Sequence, residues 1–247
     1  MSRRPQRESD PLEREIEAAL DPGYFVSYRA DLVFMADLEA VAADVAAVVD
    51  SAPVRAVELY ESFLAGCYEK AEEVDDSGGS FGMFVTELFC GWIRARQAAD
   101  ADAEETASRL LGWMDDDPHG FCRRLEQDVV TVLDQAGRAA FTEQVRSRFD
   151  KAGLAAGANQ NERRARADRR RWAEILRTLY AARRNVGAYI RLAEDTGVTP
   201  ADCQAVAKML SARRKPEEAL LWVERGIILD AQTRRRAARS LAATCAS

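Results

Sequence analysis

The chain has 247 residues, 47% of them hydrophobic and 31% charged, enough to form a sizeable core as one elongated array or as two domains. Its formal net charge is −6, and no stretch reaches the roughly eighteen apolar residues that a membrane-spanning helix needs. Its five cysteines, Cys67, Cys90, Cys122, Cys203 and Cys245, have no close pairing, which points to reduced thiols and away from a disulfide framework.

Residues 1–10 are polar and are expected to be disordered. Arg3, Arg4 and Arg7 lead into an acidic helix and not into an apolar run, so no signal peptide is expected and the protein reads as cytoplasmic. Apolar residues then recur at steps of three and four: Phe34, Leu38, Val41, Val45 and Val48; Val57, Tyr60, Leu64, Cys67, Ala71 and Val74; Phe81, Phe84, Leu88 and Trp92. Asp75-Asp76-Ser77-Gly78-Gly79 separates the last two stripes. This run lacks the alternating oxygen ligands and distal Glu of a calcium loop and the Gly-Lys-Ser/Thr of a phosphate loop, so it reads as a solvated turn between helices.

Further helices are expected at residues 107–114, 121–133 and 141–149. Between the first two, Asp115-Asp116-Asp117-Pro118-His119-Gly120 holds the single histidine, and three carboxylates there suit a divalent cation or a raised imidazole pKa. A helix start, with Asp117 as cap and Pro118 in the first turn, explains the same residues without needing a second ligand. Any Ser-His or Cys-His dyad must use His119. Cys122, one helical turn away, instead falls on the apolar stripe Phe121, Cys122, Leu125 and Val129, which favours burial over nucleophilic chemistry. No catalytic residue, metal site or cofactor is expected.

Residues 151–161 carry two glycines and little bulk and read as a linker. Charge changes sign across them: residues 1–150 hold 15 Lys and Arg against 31 Asp and Glu, net −16, and residues 151–247 hold 20 against 10, net +10. The division expected is therefore an acidic helical domain, 11–150, and a basic one, 162–247. The basic part opens on Arg163, Arg164, Arg166, Arg169, Arg170 and Arg171, ending at Trp172. Helical spacing sets Arg163, Arg166 and Arg170 on one face with Arg164 and Arg171 beside them, a possible track for nucleic-acid phosphates. Glu162 and Asp168 dilute it, and Trp172 begins the core stripe Trp172, Ile175, Leu176 and Leu179.

The most informative pattern is a recurrence at thirty residues: Ala182-Arg183-Arg184 returns as Ala212-Arg213-Arg214, and Glu194 as Glu224. Each copy reads as two helices around a short turn, which bury an apolar face only by stacking on a neighbour. In the second copy Thr199-Pro200-Ala201-Asp202 supplies an N-cap hydroxyl, a first-turn proline and an acid facing the helix dipole. Cys203, Val206, Ala207 and Leu210 follow as one stripe. Pro216 starts the next helix, whose inward face is expected at Ala219, Leu220, Val223, Gly226 and Ile227. A final helix from Arg234, with Arg235, Arg236 and Arg239, would cap the array with a polar face. If it did not, the apolar face beyond Ile227 and Ile228 would favour a homo-oligomer.

The small residue at Ala207, the Glu217-Glu218-Ala219-Leu220 step and the small residue at Gly226 resemble the tetratricopeptide repeat. Cys203 stands where that family usually has Trp, Pro216 where it often has an aromatic, and no proline closes the repeat. Residues 72–77, 109–120 and 213–226 together are similar to the helical region of bacterial proteins of unknown function, some of which carry an upstream SWIM-type zinc finger. The finger's Cys-x-Cys and Cys-x-His pairs are absent from this sequence. Periodicity gives an all-α chain of about ten helices, and the resemblance implies that they form a helical-repeat array serving as a non-enzymatic adaptor. On residue type and spacing, Arg183, Arg184, Arg213 and Arg214 are the candidate contacts for a protein partner or acidic peptide. The alternative is nucleic acid bound by Arg163, Arg164, Arg166, Arg170 and Arg171.

Overall fold

The proline and capped starts at Pro200 and Pro216 recur in the computed structural model, which describes residues 10–28, 30–155 and 162–245, whereas the final helix expected from Arg234 is no separate element but the continuation of the helix from Pro216 to Cys245. Among the described residues eleven α-helices follow one another: α1 (Pro11–Leu20), α2 (Asp31–Val48), α3 (Pro53–Lys70), α4 (Ser80–Ala98), α5 (Ala103–Asp115), α6 (Leu125–Val132), α7 (Gln135–Ala155), α8 (Glu162–Ala182), α9 (Val186–Thr196), α10 (Pro200–Ala212) and α11 (Pro216–Cys245). The fold is all-α. No strand occurs among the described residues, where the β contact is an isolated bridge between Val26 and Val74. No described helix is long and apolar enough to cross a membrane. The chain divides into two compact units, Met1–Phe141 and Thr142–Ser247.

In the first unit Asp10 caps α1, accepting the Leu12 N–H at 2.9 Å just ahead of Pro11, and Arg55 of α3 bonds the same carboxylate at 2.8 Å. Of the segment 1–10 expected to be disordered, Asp10 is this cap and residues 1–9 lie outside the described residues. Helices α1 and α2 pack on α3, α3 on α4, and α4 on α2 and α6. Phe63, Phe81, Phe89 and Trp92 are fully buried between them. At Gly91 of α4 an added Cβ would stand 2.4 Å from the Tyr60 ring, so only glycine allows α3 and α4 this approach.

Two stripes end differently from their periodicity. The stripe expected to run from Val57 to Val74 stops at Lys70. A 3-10 turn, Ala71–Glu73, follows, and Val74 is extended, with the Val26 N–H donating to Glu73 O and the Asp75 N–H to Val26 O, each at 2.9 Å. The helix expected from Phe121 begins only at Leu125, because Arg124 takes a left-handed φ of 69° and breaks the run. Of the expected linker, residues 151–155 form the end of α7 and not a loop, and residues 156–161 lie outside the described residues.

In the second unit α8 packs on α9, α9 on α10 and α10 on α11. Trp172, Ile175, Leu176 and Leu179 are buried on α8, as are Cys203, Val206, Ala207 and Leu210 on α10. The face expected to turn inward on α11 is corrected in part. Ala219 is 5% exposed, whereas Leu220, Val223 and Ile227 are 58%, 44% and 64% exposed. The reason is Gly226, where an added Cβ would lie 3.0 Å from Cys203 Cβ. The closest approach uses the smallest residues, Ala219 and Gly226, and that rotates the larger ones to the surface. The side chains of Arg236, Arg239 and Cys245 lie outside the described ones.

Two glycine substitutions are expected to shift stability in opposite directions. Gly91→Ala forces the Tyr60 ring to move and should destabilise by about 1–3 kcal/mol. Gly112→Ala, inside α5 with open space around it, should stabilise by about 0.5–1 kcal/mol. Urea unfolding midpoints of the two variants check both signs.

Candidate functional site

Arg183 and Arg184 occupy the turn between α8 and α9, and Arg213 and Arg214 the turn between α10 and α11; all four are exposed. Arg184 and Arg214 have φ of 51° and 58°, the left-handed conformation that stops a helix. The backbone bonds match: Asn185 N–H donates to Tyr180 O at 2.8 Å, and Lys215 N–H to Leu210 O at 3.1 Å. The recurrence at thirty residues is thus the same helix stop used twice. The two turns are brought together, since an Arg213 Nη2 N–H donates to the carbonyl oxygen of Arg184. The candidate partner-binding arginines therefore form a basic edge at the turns.

On α8, Arg163, Arg164, Arg166 and Arg170 are exposed and Arg171 is half-buried. Arg166 pairs with Glu162 one turn back, and Arg171 lies over the Trp172 ring at 4.9 Å. Trp172 is buried, with Arg148 of α7 also over its ring at 5.5 Å, so its faces are used within the protein. Arg169, between the exposed arginines, bonds Asp195 of α9 at 2.9 Å and covers the Phe149 ring at 4.8 Å.

Asp202 is the best-connected polar group of this unit and is 1% exposed. Arg177 of α8 donates to it at 2.7 Å through Nε and reaches Thr196 Oγ1 at 2.7 Å through Nη2. The Tyr189 hydroxyl of α9 donates at 3.1 Å. The Thr199 hydroxyl and N–H bond its carboxylate at 2.7 and 2.9 Å, while its own N–H donates to Thr199 Oγ1 at 3.1 Å, completing a capping box. Burial alone would raise the Asp202 pKa, but the bonds from Arg177 and Thr199 together outweigh it and hold the carboxyl below its ordinary range. Thr199-x-x-Asp202 announces the local half of this network, but no sequence signal joins it to Arg177 and Tyr189.

The remaining constellations resolve into caps and packing. Asp76 accepts the N–H groups of Phe81 and Gly82 at 2.9 and 3.0 Å, starting α4. Gly78-Gly79-Ser80-Phe81-Gly82 also spells Gly-x-Ser-x-Gly, whose nucleophile needs a strand-to-helix elbow; here a turn and not a strand precedes Ser80. Asp117 accepts the N–H groups of Phe121 and Cys122 at 3.0 and 2.8 Å, capping a turn instead of the expected helix start. His119 is exposed and its ring faces Tyr68 and Phe121 at 6.1 and 5.7 Å. Cys122 is buried and shares a 3.5 Å contact with the Tyr68 hydroxyl. Among the described residues no group of three or more His, Cys, Asp or Glu is placed to hold a metal ion.

The chain belongs to a family of unknown function, DUF6880, whose model matches residues 17–245. No curated protein and no solved structure matches it.

The Asp202 network carries a stability signature. Asp202→Asn should destabilise by roughly 2–3 kcal/mol, because it removes a buried charge partner from Arg177. A carboxyl whose folded pKa is depressed stabilises fully above its unfolded value, near 3.8, and loses that contribution as pH falls through the folded value. Acid unfolding of the wild type should therefore be steeper below pH 3.8 than that of Asp202→Asn, as read by circular dichroism against pH.

Proposed function

We propose that this member of the family is a non-enzymatic interaction scaffold, a tetratricopeptide-like helical-repeat array that works in the cytoplasm and binds an acidic peptide or protein segment. One observation carries the reading: the helix stop repeated at thirty residues, with Arg213 bonded to the Arg184 carbonyl. Two helical hairpins joined at their turns have the logic of a repeat array, in which each unit contacts its neighbour and presents a continuous surface. That surface displays Arg183, Arg184, Arg213 and Arg214, all exposed, and arginine forks suit carboxylates.

A second reading draws on a different observation, the exposed Arg163, Arg164, Arg166 and Arg170 on α8. In it the basic part of the chain contacts nucleic-acid phosphates without reading sequence, and Arg171 adds a fifth cation.

Fluorescence anisotropy with a labelled oligo-glutamate peptide tests the scaffold reading. Replacing Arg183, Arg184, Arg213 and Arg214 together with Glu should weaken binding by at least about tenfold; unchanged affinity would sink the assignment of that edge. For the second reading, labelled single-stranded DNA is titrated across a salt series. Five phosphate contacts give a slope of log K against log salt of about −3.5, flattened when the five α8 arginines are replaced by Gln. No binding at low salt removes that reading.

A further inference from the structure

A cleft of about 850 Å³ opens on the second unit between α8 and the start of α10. Its size falls within the range of small-molecule sites, roughly 300–1,000 Å³. Small residues make the room: Gly153, Ala173, Gly197 and Ala201 line it where bulkier side chains would fill it. Arginines line the α8 wall. Arg166, Arg169, Arg170 and Arg177 follow one another at helical steps around Ala173, so one face of α8 turns four guanidinium groups toward the same space.

These four differ in how far they are committed. Arg177 is held by Asp202 and Thr196, and Arg169 gives one N–H to Asp195 and stacks on Phe149. Arg166 pairs through one nitrogen with the exposed Glu162. Among the described residues the ion pairs of α8 engage Arg166, Arg169 and Arg177 and not Arg170. Each guanidinium has five N–H donors, so most of this donor set is unspent. Three carboxylates, Glu174, Asp195 and Asp202, share the lining, and Glu162 on Arg166 brings the acids level with the four arginines, so an anion gains its place by taking Arg166 from the exposed Glu162 and meeting Arg170. Asp202 already accepts bonds from Arg177, Tyr189 and Thr199, so it competes little for further cations.

We propose that this cleft binds a small ligand through a phosphate or diphosphate group held by the forks of Arg166 and Arg170. One carboxylate engages a single fork, whereas a phosphate group has oxygens enough to face two forks one turn apart. Arg169 and Arg177, fixed by their own partners, add charge without needing to be ordered on binding. The rest of the ligand lies over Ala173, Ala201 and the Tyr189 ring. The site is separate from the turn arginines, and it differs from a phosphate track on open α8 in requiring the cleft itself.

Isothermal titration calorimetry with inorganic pyrophosphate at low ionic strength tests this, using the full chain. Arg166→Ala/Arg170→Ala removes the forks, Ala201→Phe fills the cleft without changing charge, and Arg183→Glu/Arg213→Glu alters charge elsewhere. All five positions are exposed, so each variant is expected to fold, which circular dichroism checks. The expected result is saturable binding at one site per chain, weakened at least about tenfold by the first two variants and less than about threefold by the third. No saturable binding overturns the proposal. So does binding that survives Ala201→Phe, which would set the anion on the open face of α8, or an equal loss in the third variant, which would mark diffuse attraction.

Discussion

A single carboxylate, that of Asp202, joins three helices of the second unit. It caps α10 through Thr199, takes the Arg177 guanidinium of α8 and accepts the Tyr189 hydroxyl of α9. A charge this deeply buried is tolerable only when it is fully bonded, so each of the three helices must stand where its donor reaches. The arrangement of α8 around the cleft follows from this. Arg170 lies seven residues before Arg177 on the same helix, and the anchor that fixes one sets the direction of the other.

The second constraint is the size of side chains where helices cross. In the first unit Gly91 admits the Tyr60 ring, and in the second Gly226 admits Cys203. Close approach at glycine aligns backbones rather than large side chains, and the large side chains then turn wherever the crossing leaves them. On α11 that is toward the surface. Leu220, Val223 and Ile227 are outside while Ala219 is buried and the half-buried Gly226 approaches Cys203.

How much of this was legible follows from how local each cause is. Thr199, Pro200 and Asp202 announce the start of α10 because capping chemistry spans three residues; the N-cap hydroxyl and the first-turn proline stand as read, and the Asp202 carboxylate, read as an acid facing the dipole, also closes a capping box. The all-α class is equally local, since each stripe is set by spacing within one helix. The rotation of α11 is not local: Leu220 and Ile227 fit a buried stripe by periodicity, and the contact that overrules them joins residues 203 and 226. Val74 extends its stripe by spacing, yet its backbone bonds run to Val26, far back in the chain. Arg124 delays the start of α6 through a left-handed backbone that an arginine does not advertise, whereas a glycine would have. Of the candidate site residues, the turn arginines were visible by repetition. Arg177 was not, because its meaning lies in a partner on another helix.

The left-handed backbone at Arg184 and Arg214 makes those two positions a ruler for the family. Glycine adopts this conformation without strain and asparagine more readily than most residues, whereas a β-branched side chain is crowded there. Glycine or asparagine at both positions would therefore be compatible with two hairpins of this length without any arginine there. Valine or isoleucine at one of them would instead cost about 1–3 kcal/mol of backbone strain at that helix stop. Substitution at two sites thirty residues apart thereby separates inheritance of the scaffold from inheritance of the charge displayed on it.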